Sequence, residues 1–308
     1  MLRSLGSRPG ARKWLLAGGA VLFVAITLSA IAALPDESRS ARPEVIVLLV
    51  ALVPTTVLLN GEEYRVMARS LGHDLSLGSA LRVSVLATVA NYLPAPGGAA
   101  VRTAALRRRG SSLRASVGIN AAAGLSWLGT AAIASSVALV GHDDLRGRAV
   151  IVGVVGVVAI GASLVMLRRL GPGWQRRAIE LVLVEAGLVV TVTARVWVAL
   201  LAIGESASIG ASIAISSSGV VAAAVGIFPA GLGIREALAG GIAAAVDVPA
   251  AFAVAASALD RVCGQVGLAL TALAVGIRPR DLHSGPVAAA EEDAEIEPVP
   301  PPPDATVT

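Results

Sequence analysis

The chain has 308 residues, 55% of them hydrophobic and only 15% charged, with a formal net charge of +4 and a mean hydropathy of +0.77. Its apolar residues fall in long uncharged runs, which makes it a polytopic membrane protein. Continuous runs such as Trp14 to Leu34 and Ala149 to Leu167 exclude an outer-membrane barrel, whose strands would alternate, and no segment between the runs is long enough to fold into an enzyme domain.

Arg3, Arg8, Arg12 and Lys13 give a basic N-terminal stretch, residues 1–13, expected to be cytoplasmic. They precede an apolar run ending near Ala30-Ile31-Ala32, the outline of a signal peptide. At about 21 residues the run exceeds the apolar part of such a signal and is read as a retained first span. Further apolar elements follow near 44 to 60, 80 to 106, 115 to 140, 149 to 167, 179 to 203, 209 to 246 and 250 to 276. Two of them are interrupted by similar punctuation, Leu93-Pro94-Ala95-Pro96-Gly97-Gly98 and Phe228-Pro229-Ala230-Gly231-Leu232-Gly233, and each break is followed by an arginine, Arg102 and Arg235. The breaks occupy the third place in each half, 14–140 and 149–278, and paired interruptions of this kind point to a midplane binding site between internal repeats. The last stretch, 281–308, carries Glu291, Glu292, Asp293, Glu295 and Glu297 before Pro298 and Pro300 to Pro303, and is expected to be a disordered, acidic, proline-rich cytoplasmic tail.

Arginines set the orientation, because cytoplasmic loops carry the excess of positive charge. Arg102, Arg107, Arg108, Arg109 and Arg114 follow the first break without an intervening acid. If 80 to 106 crossed once, that cluster would lie outside, together with Arg168, Arg169, Arg176 and Arg177. If it enters and returns, both clusters fall inside, and the balanced stretch His142 to Arg148 falls outside. The same treatment of 209 to 246 puts Arg278 and Arg280 inside. The loop Glu62 to Asp74 is then also inside, against the trend of its acids. The expected fold is therefore all-α, with two inverted four-element repeats, each containing one broken re-entrant helical hairpin. Length agrees: Ala80 to Leu93 spans about 21 Å as a helix, short of a hydrocarbon core of about 30 Å.

Ionisable residues at bilayer depth are functional candidates, since a buried charge costs about 3 kcal/mol on insertion scales. They are Arg102, Glu185, Arg195, Arg235, Glu236, Asp260 and Arg261. Arg102 and Arg235, with Glu236 and the break residues Asn91, Pro94, Gly97, Gly98, Pro229, Gly231 and Gly233, form the expected substrate-binding set, where freed backbone N–H groups and helix N-termini would face an anion. The structural alternative has Arg102 snorkelling to the surface and Arg235 pairing with Glu236 or Glu185 to hold the bundle. Glu185, Arg195, Asp260 and Arg261 either relay protons or form structural ion pairs. Ser216, Ser217 and Ser218 are expected to bond back to their own helix. Cys263 is a lone apolar-run cysteine, and His73, His142 and His283 show no metal-ligand spacing, so no metal or cofactor is expected. No nucleophile with a placed base and no nucleotide-binding loop is present, and nothing indicates a nucleic-acid partner.

Asn91-Tyr92-Leu93-Pro94 with Gly97, Gly98 and Arg102, and Pro229-Ala230-Gly231-Leu232-Gly233-Ile234-Arg235-Glu236, resemble the lysylphosphatidylglycerol synthase transmembrane (flippase-like) family, over roughly residues 14 to 278. The second motif matches a Pro-Gly-Gly-Leu-Gly-x-Arg-Glu pattern in which Ala230 replaces a glycine. The resemblance implies a multi-pass protein of the bacterial inner membrane that moves aminoacylated or otherwise modified phospholipids between leaflets. The chain has Ala99 where many members carry an acid, and Asn120 with apolar neighbours where many carry an Arg/Asp pair. It has an acidic tail in place of the synthases' aminoacyl-transferase domain, so it is not expected to be the enzyme. The leading expectation is a phospholipid translocase with membrane lipids as its partners. The alternatives are a proton-coupled small-solute transporter using Glu185 or Asp260, and a non-catalytic accessory subunit of a lipid-modifying enzyme.

Overall fold

A computed structural model describes residues 9–38, 42–92, 97–225 and 228–277, and among these every regular element is helical. Ten α-helices follow one another: α1 Pro9–Ala33, α2 Pro43–Ser70, α3 Leu77–Ala90, α4 Gly97–Arg108, α5 Leu113–Leu139, α6 Arg146–Arg168, α7 Trp174–Ala202, α8 Ile209–Val225, α9 Ile234–Ala244 and α10 Ala250–Ala274. Five of the elements, those containing α2, α5, α6, α7 and α10, are long and apolar enough to cross a membrane. The apolar part of α1, and α3 and α8, are shorter. Leu93 to Pro96, Arg3, Arg8, Arg278, Arg280 and the tail 281–308 lie outside the described residues.

The element read at 44 to 60 is longer than its hydropathy indicates. α2 continues to Ser70 and ends at Leu71, before Gly72 with φ +83. The loop expected at Glu62 to Asp74 is therefore mostly helix. Glu62, Arg65 and Arg69 share the partly exposed side of this extension while Glu63, Tyr64, Val66, Met67 and Ala68 are buried, so the helix persists where average hydropathy falls. Similarly, α7 starts five residues ahead of the run read from 179.

Small residues decide how closely the helices pack, as expected where water cannot drive their association. A Cβ on Gly129 of α5 would lie 2.8 Å from the Gly156 carbonyl of α6, and one on Gly156 would lie 2.9 Å from the Gly129 carbonyl. Ser136 and Ser163 add hydrogen bonds across the same interface, to the carbonyls of Ala149 and Ala122 at 2.8 Å. The opposite side of α6 leaves Val150, Ile151, Val154, Val157 and Val158 exposed, the composition of a lipid-facing surface. Ser216 and Ser217 donate to Ile213 and Ala214 of their own helix.

Two apolar clusters fill the interior. One joins parts of α2, α3, α4 and α5 to the start of α7 and the end of α10. The other joins α8 and α9 to the start of α2, the end of α7 and the first half of α10. On α7, Glu185 and Arg195 fall between Leu181 of the first cluster and Val196 of the second, and on α10, Asp260 and Arg261 fall between Ala256 and Leu268. The buried charges thus sit where the two cores adjoin.

Candidate functional site

The two breaks are built differently, and the sequence explains both. At the first, α3 ends at Asn91, whose side-chain oxygen accepts from the Gly98 N–H at 2.9 Å. One residue thereby closes α3 and caps the first turn of α4, where N–H groups have no partner within the helix. Gly97 and Gly98 are required by the approach: a Cβ on Gly98 would sit 2.8 Å from the Ala87 carbonyl oxygen, and one on Gly97 would overlap the Ala90 carbonyl.

At the second break, Pro229 to Gly231 form a 3-10 turn between α8 and α9. Ala230, Gly231 and Gly233 all have positive φ, at 50°, 64° and 77°, a conformation natural to glycine and costly for alanine. Glu236 reaches back to accept from the Gly233 N–H at 3.0 Å. Its other oxygen accepts from Arg261 at 2.8 Å, and the same guanidinium donates to the Ala230 carbonyl at 3.0 Å and lies over the Phe23 ring at 5.7 Å. Arg261 and Glu236 are therefore a clamp that fixes the loop. Leu22 of α1 covers it, 2.6 Å from where a Gly233 Cβ would stand.

The breaks touch each other: the Ala230 N–H donates to the Asn91 carbonyl at 2.9 Å. Residues 139 positions apart in the chain are thereby joined through backbone, independently of side-chain identity.

Three buried ionic groups surround this junction. Arg195 and Arg235 both pair with Asp260, at 2.8 Å and 2.6 Å. Arg261 pairs with Glu236. Arg102 pairs with Glu63 at 3.0 Å and donates to Asn60 at 3.4 Å. Two guanidiniums on one carboxylate leave the Asp260 group with one unit of positive charge, whereas the other two pairs are neutral. The Nε atoms of Arg195 and Arg235 have no hydrogen-bond partner. Arg235 and Arg102 are also the most open members, with 18% and 16% of their side chains exposed against 3% for Asp260 and 5% for Arg261.

The structure thus brings together Asn91, Gly97, Gly98, Gly231, Gly233, Arg235, Glu236, Asp260, Arg261 and Arg195. Arg102 lies on the neighbouring helix with Glu63, not with the Asp260 group. Arg235 takes Asp260 as its partner rather than Glu236 or Glu185. Pro94 lies outside the described residues, and Pro229 contributes its backbone to the turn. Glu185 is buried without a hydrogen-bond partner. Glu63 was missed because Glu62 to Asp74 was read as a loop, and Asn60 because it ends the apolar element read at 44 to 60 and is not itself ionisable. The signal was the stripe Thr56, Asn60, Glu63, polar residues at helical spacing on an otherwise apolar run; Asn60 donates to the Thr56 carbonyl at 2.8 Å. Asn120 donates to Thr103 of α4 at 3.2 Å and to the Ser116 carbonyl. Cys263 is buried, and no cluster of metal-ligating side chains occurs among the described residues.

A search of curated proteins gives no match. A family model described as the lysylphosphatidylglycerol synthase TM region matches residues 15–184, which covers the first break and stops before the second. With more than half of the chain matched and five helices of spanning length, this is a multi-pass membrane protein, and it belongs to the lysylphosphatidylglycerol synthase TM region family.

Proposed function

We propose that the protein is a phospholipid translocase of the bacterial inner membrane, with both termini cytoplasmic, and that the surplus positive charge at Arg235 holds the lipid phosphate. A phosphodiester headgroup carries one negative charge and two accepting oxygens, which complements one uncompensated guanidinium with an unmet Nε donor. Asp260 and Arg195 keep that guanidinium in place, and the Arg261–Glu236 clamp keeps α9 aimed at the junction.

The order of elements supports two inverted repeats. Two helices, a broken pair and a long helix occur twice, as α1, α2, α3 with α4, α5 and again as α6, α7, α8 with α9, α10. In this reading α3 with α4, and α8 with α9, are re-entrant hairpins from opposite surfaces, and the arginines at the end of α4 face the cytoplasm. Helices of 14 and 12 residues reach about 21 and 18 Å, too short to cross alone. Rocking of one repeat against the other would carry the headgroup past the junction. The chain would move the modified lipid and leave its synthesis to another enzyme, with the tail available to such a partner.

The observation that carries this reading is the unequal count at Asp260, two guanidiniums to one carboxylate. Its test is reconstitution in vesicles with a fluorescent phospholipid. Arg235→Ala removes charged hydrogen bonds worth about 1.5–3 kcal/mol, so flipping should slow by about ten- to a hundredfold. Equal rates for the two proteins would refute the reading. The small-solute alternative draws on the unpartnered Glu185 and predicts transport of a soluble substrate with no dependence on lipid headgroup.

A further inference from the structure

Glu185 differs from the other buried charges. It is fully buried, at 0% exposure, and neither carboxylate oxygen has a hydrogen-bond partner. Glu63, Arg102, Arg195, Arg235, Glu236, Asp260 and Arg261 are all ion-paired. The register of α2 against α7 fixes its surroundings. Arg69 pairs with Glu180 at 3.0 Å, and further along Leu59 lies 3.2 Å from where a Gly187 Cβ would stand. Antiparallel packing between these contacts brings Glu63 level with Glu185.

The charged groups that act on Glu185 are Glu63 of α2 and Arg102 of α4. The other helices packed on α7 bring no other charge there. α8 has none, α5 and α6 carry theirs at their ends, at Arg114, Arg146, Arg148 and Arg168, and the charges of α10 are committed to Arg195, Arg235 and Glu236. An ionised carboxylate buried without a partner is far costlier than a neutral one. Two carboxyl groups beside a single guanidinium compete for its charge, and the one left without it is the costlier to ionise.

We propose that Glu185 is a proton-binding site beside the Glu63–Arg102 pair, and that its loading sets how firmly Arg102 is held. With the proton on Glu185, the Glu63–Arg102 pair is neutral and complete. When the proton leaves to water, the site carries one net negative charge, both carboxylates draw on Arg102, and an anion approaching the junction of the breaks is repelled. The proton moves between a carboxyl oxygen and water, and no other bond forms or breaks. The effect on an anionic headgroup rests on the lipid reading above; the proton site does not.

Infrared difference spectroscopy of the full chain in lipid nanodiscs, between neutral and alkaline pH, detects the C=O band of a protonated carboxyl group. The wild type should show the band, and Glu185→Gln, a near-isosteric change, should abolish it. Glu63→Gln should abolish it also, because Arg102 then passes to Glu185 and lets it ionise. Glu44→Gln, an exposed acid at the start of α2, should keep it. A wild type without the band, or a band unchanged in Glu185→Gln, overturns the proton site. Vesicle flipping under an imposed pH gradient tests the coupling: the wild-type rate should change severalfold with the gradient and that of Glu185→Gln should not. A gradient response kept by Glu185→Gln overturns the coupling. If the band behaves as stated but the wild type moves no lipid, the proton site stands and the lipid reading falls.

Discussion

Asp260 holds two guanidiniums, and this asymmetry separates stability from function within one group of side chains. Asp260→Asn leaves Arg195 and Arg235 buried and uncompensated, which should cost about 3–5 kcal/mol. Arg235→Met removes the surplus charge and leaves the Arg195–Asp260 pair neutral, so its thermal midpoint in nanodiscs should stay near that of the wild type while lipid flipping falls. A large loss of stability in both variants would show that Arg235 is simply part of the bundle. Ala230 offers the converse test. It holds φ +50, a conformation natural to glycine and costly for alanine, so Ala230→Gly should raise stability by about 1 kcal/mol, read as a higher thermal midpoint. Arg235 could be picked out in the sequence because it follows a Pro/Gly break. Its partner could not: Asp260 is 25 residues further on, and several acids were equally available to it.

Between elements, the close approach of α3 and α4 rests on glycines. Gly98→Ala would place a Cβ 2.8 Å from the Ala87 carbonyl, which belongs to backbone and cannot turn aside. The expected loss is about 1–3 kcal/mol, and Gly118→Ala, with open space around its site in α5, should lose nothing and gain up to about 1 kcal/mol. At the other end of this hairpin, His73 Nε2 lies 2.7 Å from Ser111 Oγ and ties the α2–α3 turn to the α4–α5 turn. Burial, and then the charge of Arg109, lowers the His73 pKa from its usual 6.5. The folded state therefore favours neutral imidazole. Its contribution to stability is present above the unfolded value and is lost as pH falls through the range between the unfolded and folded pKa values. The thermal midpoint should decline on mild acidification, and His73→Gln should flatten that decline. The helices themselves were largely legible as uncharged runs. The exception was the second half of α2, where charge on one face conceals a buried opposite face, and with it Glu63.

Across the whole molecule, the order of long and broken helices was readable from hydropathy and Pro/Gly punctuation. The contact between the breaks was not. It is a backbone hydrogen bond from Ala230 to the Asn91 carbonyl, and backbone bonding carries no side-chain signature. The breaks place a positively charged, partly open group beside a junction of short helices, in a bundle otherwise packed through small residues. That arrangement is the basis of the lipid reading, and a phospholipid with a photoactivatable headgroup tests it most directly. After irradiation in nanodiscs and peptide mapping, the account predicts adducts around Tyr92 and on the stretch from Phe228 through α9, greatly reduced in Arg235→Ala. Adducts confined to the exposed valine face of α6, and unchanged in Arg235→Ala, would contradict it.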